Sequence, residues 1–397
     1  MSNGVITLNE DGKIVTCNDA GLRILQLAPE EILKRKAADF FTGANGWIIE
    51  KIRHVEESGK PDVIMDAEAE FAGTRISVNL TLLPLVNTEK KKLGSMIIID
   101  DITSEKRMKS TMSRYMDPGL ADQILEGGEE ILGGKSTVAT VLFSDIRGFT
   151  TLTEELGAQG TVSLLNEYFT IMVDCIQKEG GMLDKFIGDA IMAAFGVPIP
   201  HEDDEDRAVR AAIGMIRALH VWNRQRVAEG KKPVGMGIGL NTDTIVSGNI
   251  GSPKRMDYTL IGDGVNLASR LESLCKQYHA SILISENTVR RLKGTYRIRE
   301  VDRVQVKGKT ESVGVCEVLD YHTEESYPNL MDVVNHFRDG LTLYRRREWE
   351  KAISRFNEAL RLNPDENLCG MYIERCILFR DEPPGDDWDG GWIMKTK

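Results

Sequence analysis

The sequence predicts an α+β protein in three parts: a small α/β unit, a larger unit built on an antiparallel sheet, and a helical tail. Three observations carry that prediction. Short apolar runs separated by turn residues alternate with helical patterns through 135–322, the signature of strands interleaved with helices. Asn9-Glu-Asp-Gly12 sits between two β-branched runs near the start, and Asp-Gly supplies the positive φ that a tight hairpin needs. The last 70 or so residues are helical in pattern, with Gly340, Ala352, Phe356, Ala359 and Pro364 at intervals that let two antiparallel helices approach closely.

Composition narrows the function before any motif does. The 397 residues are enough for two or three domains, and 41% hydrophobic with 28% charged residues is ordinary for a globular protein. A net charge of −11 argues against a nucleic-acid binder or an anionic-membrane binder, both of which need a basic face. Six cysteines (Cys17, Cys175, Cys275, Cys316, Cys369 and Cys376) form no CxxC pair, which reads as packing thiols in a reducing compartment. With no signal-like start and no apolar run of membrane-spanning length, the expected location is cytoplasmic.

Taken in order, residues 1–103 give strands at 5–8 and 13–17, a helix over 18–28, a second helix over 47–57, and strands at 75–82 and 93–99. Together with Gly4-Val-Ile6, Asn18-Asp-Ala20 and the closing Asp101-Ile-Thr103, this order resembles a PAS sensory domain. No PAS ligand follows from the sequence: Cys17 falls on a strand, and His54 on a helix reads as an exposed histidine rather than a haem ligand. Residues 104–134 read as a helical connector in which Met108, Met112 and Tyr115 recur at helical spacing until Asp117-Pro-Gly119. Over 327–397 the spacing is that of one tetratricopeptide-like repeat. A lone repeat must pack on another domain, a second subunit or the helix near 371–379, and a protein partner is a further candidate to meet this segment.

The chemistry lies in 135–322. Asp145 stands in Val141-Leu-Phe-Ser-Asp-Ile-Arg-Gly-Phe-Thr150 and Asp189 in Leu183-Asp-Lys-Phe-Ile-Gly-Asp189, each at the end of a strand-forming run. Hard divalent cations prefer oxygen ligands and are commonly held by one or two carboxylates plus substrate phosphates. Two such carboxylates at one sheet edge could clamp two ions roughly 4 Å apart for in-line attack at phosphorus. Strands at 137–144, 181–195 (a hairpin turning at 187–189), 234–240 and 244–250, with helices at 161–178, 201–229 and 265–278, predict a ferredoxin-like sheet with helices on one face.

These two segments, with Gly248-Asn-Ile-Gly251 and Tyr258-Thr-Leu-Ile-Gly-Asp-Gly-Val-Asn-Leu-Ala-Ser-Arg270, resemble the class III nucleotidyl cyclases, and they occur in that family's order. The nearest subgroup is that of bacterial adenylyl cyclases similar to the bicarbonate-responsive soluble enzyme. The resemblance implies conversion of ATP to 3′,5′-cyclic AMP and pyrophosphate. It implies that Asp145 and Asp189 bind two Mg²⁺ or Mn²⁺ ions with the Ile146 carbonyl, and that the backbone of Gly148, Phe149 and Thr150 cradles phosphate oxygens. It further implies that Asn266 orients the ribose, that Arg270 meets charge in the transition state, and that Lys185 and Thr259 read adenine. Arg255 and Lys307 are candidates for the polyphosphate tail. One departure is Asn241-Thr-Asp243, between the strands at 234–240 and 244–250, where the family usually has Asn-Thr-Gly; Asp tolerates left-handed turns better than most residues, so a small local cost and intact chemistry are expected there.

In that family the two residue sets come from different copies, so the resemblance implies a homodimer with shared sites. A guanylyl cyclase is disfavoured by Lys185, and a diguanylate cyclase by the absence of its Gly-Gly-Asp/Glu-Glu-Phe hairpin. A catalytically silent dimerising module would be expected to lose at least one of Asp145, Asp189, Asn266 or Arg270.

Overall fold

A computed structural model describes residues 3–87, 91–104, 106, 134–252, 255–305, 312–385, 388, 390 and 391. Nearly all of the expected connector, and Lys307, lie outside the described residues. The chain divides into two compact units, 1–115 and 116–397.

The first unit is a five-stranded antiparallel sheet in the order β2-β1-β5-β4-β3. Its strands are β1 (Gly4–Asn9), β2 (Ile14–Cys17), β3 (Asp62–Phe71), β4 (Thr74–Val86) and β5 (Lys92–Asp101). Between β2 and β3 run helices α1 (Asp19–Leu25), α2 (Pro29–Ile32), α3 (Ala37–Phe40) and α4 (Gly46–Ser58). The β1–β2 hairpin forms for the anticipated reason: Gly12 takes φ +73°, while Asn9 Oδ1 accepts from the Asp11 and Lys13 N–H groups. Asn18 locks the start of α1, because its Oδ1 accepts from Gly21 N at 2.7 Å and Val5 N at 2.9 Å, joining helix cap to first strand. The expected helix over 18–28 is shorter because Gln26 turns left-handed and ends it. Alternate residues of β1, β4 and β5 (Ile6, Leu8, Val78, Leu80, Leu82, Ile97, Ile99) pack against Leu25, Ile48, Ile52 and Val55 of the helices. Cys17 ends β2, and His54 is exposed on α4.

Strand β3 went unforeseen. Asp66 sits at φ +58°, its pairing with β4 slips between Ile64 and Ala67, and its apolar alternation is broken to match.

In the second unit the strands are β6 (Lys135–Arg147), β7 (Met182–Ile187), β8 (Ala190–Phe195), β9 (Gly235–Ser252), β10 (Arg255–Ile261), β11 (Ile282–Ser285), β12 (Ile298–Gln305) and β13 (Ser312–Val318). They form one sheet in the order β12-β13-β11-β9-β6-β8-β7, with β10 paired to the far half of β9. The helices are α5 (Phe149–Lys178), α6 (Asp204–Ala228), α7 (Asp263–Gln277), α8 (Glu286–Val289), α9 (Leu330–Arg345), α10 (Trp349–Leu362) and α11 (Asn367–Asp381). Gly157 breaks α5 with φ +67° and ψ 177°.

Three expectations change here. Helices cover both faces of the sheet. Leu142, Ile191, Ala193 and Phe195 point into a core with α5 and α6, whereas their alternate neighbours Val141, Met192 and Ala194 meet Val265 and Ala268 of α7. The sheet is not wholly antiparallel, since β11 runs parallel to β9. And Asn241-Thr-Asp243 is not a turn: β9 continues through it, with Asn241 opposite Val141 and Asp243 opposite Ala139 on β6. Cross-strand pairing overrides the local turn preference. Asn241 Nδ2 instead donates to Gly264 O at 2.9 Å, and a Cβ on Gly264 would come within 2.4 Å of Asp243 Cβ, so this stretch seats the start of α7. The same close approach recurs at Gly239, where a Cβ would lie 2.2 Å from Glu272 N.

Helices α9–α11 do not stand apart. Gly340 admits Phe356, whose ring would be 2.6 Å from any Cβ there, and α11 packs on α10. Their apolar residues share one core with Leu267, Leu271 and Cys275 of α7 and with Leu283, Val301, Val304 and Val315 of the sheet. Buried charge joins the same elements. Arg299 of β12 contacts Glu317 at 2.7 Å and Glu366 at 3.1 Å, and Arg375 of α11 meets Asp302 at 2.7 Å, where Tyr278 also donates. Removing one member of a desolvated pair commonly costs about 3–5 kcal/mol. The tail returns to this layer, with the Trp388 ring against Tyr344, Trp349 and Phe379.

Candidate active site

Strand β6 ends in Asp145-Ile-Arg147, and the β7–β8 hairpin turns at Gly188 (φ +65°) and Asp189. Because β6 pairs with β8, Ser144 opposite Ile191, the hairpin tip comes to the end of β6 and the two aspartates meet. Their carboxyls lie within hydrogen-bonding reach of one another, and the Ile146 N–H donates to Asp145 Oδ1 at 3.0 Å while also supporting Asp189. Burial, then the neighbouring Asp145, pushes the Asp189 carboxyl up to about 6. Two crowded acids short of counter-charge are what a divalent cation would relieve. Among the described residues no three His, Cys, Asp or Glu side chains converge as a full ligand set. The pair therefore fits a cation completed by backbone oxygen and substrate phosphate rather than a closed protein cage.

Gly148, at φ +67°, turns the chain from β6 into α5, so Phe149 and Thr150 occupy the first helical turn, where backbone N–H groups lack helical partners. Asn266 and Arg270 stand exposed, four residues apart on α7. Arg255 opens β10. The structure brings Thr259 and Lys185 together through a residue that motif reading passed over. Thr259 Oγ1 donates to Asp184 Oδ2 at 2.8 Å, and Lys185 Nζ lies 3.8 Å from Asp184 Oδ1.

A second residue also escaped notice. Glu272, on the inner side of α7, is pushed up to about 7 by burial first, then by Asp145, with Arg147 opposing. The close seating of α7 on Gly237 and Gly239 of β9 puts it there, and that pair of glycines was the available signal. Its folded value lies above the ordinary carboxylate value near 4.5, so between those pH values the folded chain holds a proton that the unfolded chain has lost. Stability of the ion-free protein should therefore rise as pH falls from about 7.5 toward 5, with Asp189 acting in the same direction. Glu272→Gln is expected to raise the thermal midpoint at pH 7.5 by roughly 2–4 °C and to flatten this dependence. A lower midpoint at pH 7.5 would instead mean that Glu272 is ionised and paired with Arg147.

Comparison with known proteins places these features. Residues 134–318 match the adenylate and guanylate cyclase catalytic domain, and residues 2–104 match a PAS domain. In chain order, a cyclase-type catalytic domain over 134–318 thus follows a PAS-type domain over 2–104. Among curated proteins it is similar to the terminal-differentiation-specific adenylate cyclase of Dictyostelium discoideum (39% identical over 245 residues, 60% of this chain). It is also similar to the adenylate cyclase of Anabaena cylindrica (41% over 186 residues, 45% of this chain). It spans 11% and 36% of those two relatives' own lengths. Among solved structures it resembles the adenylyl cyclase CyaB from P. aeruginosa at 41% identity, over 48% of this chain and 97% of that one, with a TM-score of 0.45. Among the described residues no helix is long and apolar enough to cross a membrane.

Proposed function

We propose that the protein is an adenylyl cyclase regulated by its PAS unit, converting ATP to 3′,5′-cyclic AMP and pyrophosphate. The ribose 3′-hydroxyl gives up its proton to solvent as its oxygen forms a bond to the α-phosphorus, the bond from that phosphorus to the bridging oxygen of the β-phosphate breaks, and pyrophosphate leaves. The observation that carries this reading is the meeting of the Asp145 and Asp189 carboxyls at the end of β6.

Those two residues, with the Ile146 carbonyl, would hold the Mg²⁺ or Mn²⁺ ions. Bound there, they would supply Lewis acidity toward the ribose 3′-oxygen and the α-phosphate. The first turn of α5, from Gly148 through Thr150, presents N–H groups to phosphate oxygens. Asn266 orients the ribose, and Arg270 presents a fixed cation to the five-coordinate phosphorus. Lys185 donates to adenine N1 and Thr259 accepts from its 6-amino group. Arg255 and Lys307 are assigned to the polyphosphate tail.

We assign the acidic pair of one copy and the Lys185, Thr259, Asn266 and Arg270 set of its twin to each site, which makes the working unit a homodimer. The finer readings belong to the same proposal: a cytoplasmic enzyme of the bicarbonate-stimulated type, on the ground of Thr259, with the outer surface of α9–α11 left for a protein partner. Purified protein assayed with Mn²⁺ or Mg²⁺ should cyclise ATP in preference to GTP, and more rapidly with bicarbonate at fixed pH. GTP turnover alone would make it a guanylyl cyclase. No turnover of either nucleotide by folded protein would make it a silent module.

A further inference from the structure

The pair assigned to the purine base is tied together by a carboxylate, and its position is unusual. Strand β7 pairs with β8 in register up to Leu183, opposite Ala193, and resumes at Lys185, opposite Met192. Asp184 is the extra residue of a β-bulge, a device that re-aims side chains. Its carboxylate is shielded from solvent: Oδ2 accepts a hydrogen bond from the Thr259 hydroxyl, and Oδ1 has no hydrogen-bond partner among the described residues but faces Lys185 Nζ.

We propose that Asp184 is a positioning residue that fixes the hydrogen-bonding polarity of Thr259 and thereby sets the choice between adenine and guanine. A threonine hydroxyl has one proton and two lone pairs. Left alone, it can rotate to donate or to accept, and so could serve either the 6-amino group of adenine or the 6-keto oxygen of guanine. With its proton held by Asp184, only lone pairs remain for the base. An amino group is then matched, and a keto oxygen is opposed. A site built on one hydrogen-bonding pattern rejects its complement because buried groups are left unpaired. The same carboxylate keeps the Lys185 ammonium beside Thr259, so donor and acceptor are presented as a unit.

Desolvation pushes the Asp184 carboxyl above its ordinary value, with the Thr259 hydroxyl and then Lys185 opposing that rise. The inference rests on the proposed cyclase reading and deepens it.

Steady-state kcat/KM for ATP and for GTP, with thermal midpoints measured in parallel, tests it on the full chain. Asp184→Ala should lower the ATP-to-GTP ratio by about tenfold or more, chiefly through KM for ATP and gained turnover of GTP. Asp184→Asn, nearly isosteric, should lower it by about threefold or more, since its neutral oxygen holds the hydroxyl proton less firmly. In a Thr259→Val background, Asp184→Ala should lower the ratio by a clearly smaller factor than it does with Thr259 present, since only its hold on Lys185 is then left to lose. An unchanged ratio in both single variants, or an equal drop in the Thr259→Val background, overturns the inference and leaves a purely structural bulge residue. If Asp184→Ala does not fold, the Asp184→Asn ratio decides alone. Unsubstituted protein that cyclises neither nucleotide overturns the cyclase reading and this role together. A normal ATP preference with unaltered ratios overturns only the role of Asp184.

Discussion

Asp145→Ala or Asp189→Ala should each reduce cyclase turnover by about 10³-fold or more, with little loss of fold. The expectation follows from how few ligands converge. Among the described residues there is no third His, Cys, Asp or Glu in the cluster to compensate. Removing either carboxylate takes half of the protein's anionic charge from the ions that would steady the α-phosphate. Stability should move the other way. The two carboxyls are within hydrogen-bonding reach, and Asp189 is raised to about 6, so the ion-free protein carries unfavourable repulsion near neutral pH. Relief of that repulsion should hold or raise the thermal midpoint without metal. Added Mn²⁺, which should raise the midpoint of unsubstituted protein, should raise that of either variant far less. Full turnover in a variant would refute the assignment, as would an undiminished thermal response to Mn²⁺.

Why these aspartates could be read from sequence, and Asp184 could not, is a matter of register. Asp145 and Asp189 close apolar runs with strand period, so position along the strand nearly determines where each carboxylate emerges. Asp184 sits inside such a run. Strict alternation would assign it one face and Lys185 the other, and only the slip opposite Met192 puts both beside Thr259. Pairing partners decide a bulge, and partners distant in sequence are invisible to local pattern.

The same limit explains the rest. Strand β11 is four consecutively buried residues, Ile282–Ser285, with no alternation to reveal a strand. The reading of Asn241-Thr-Asp243 as a turn fails because β6 pairs along its whole length. The small-residue spacing around Gly340 correctly announced a close helix pair. It said nothing of Arg299, Asp302, Glu366 and Arg375, whose buried pairing joins those helices to strand β12.

Arg270→Ala carries the second large effect, and its consequence reaches beyond one chain. In the proposed site Arg270, exposed on α7 and four residues from Asn266, meets charge on a nucleotide held by the acidic pair of the other copy. A preorganised donor aimed at transition-state charge is typically worth 10²–10³ in rate, so kcat should fall by roughly that factor while nucleotide KM changes little. If instead KM rose with kcat unchanged, Arg270 would serve ground-state binding. Mixing then tests the assembly. Asp145→Ala chains and Arg270→Ala chains are each defective at a different half of the proposed site. A mixed dimer would place both lesions in one site and leave the other site with an intact acidic pair and an intact arginine. With random exchange about half of the dimers are mixed, and each mixed dimer holds one complete site of two. Activity should return to about a quarter of that of the unsubstituted protein. If both residue sets of a site came from one chain, every site in the mixture would carry a lesion. Mixing, with subunit exchange verified, would then restore nothing.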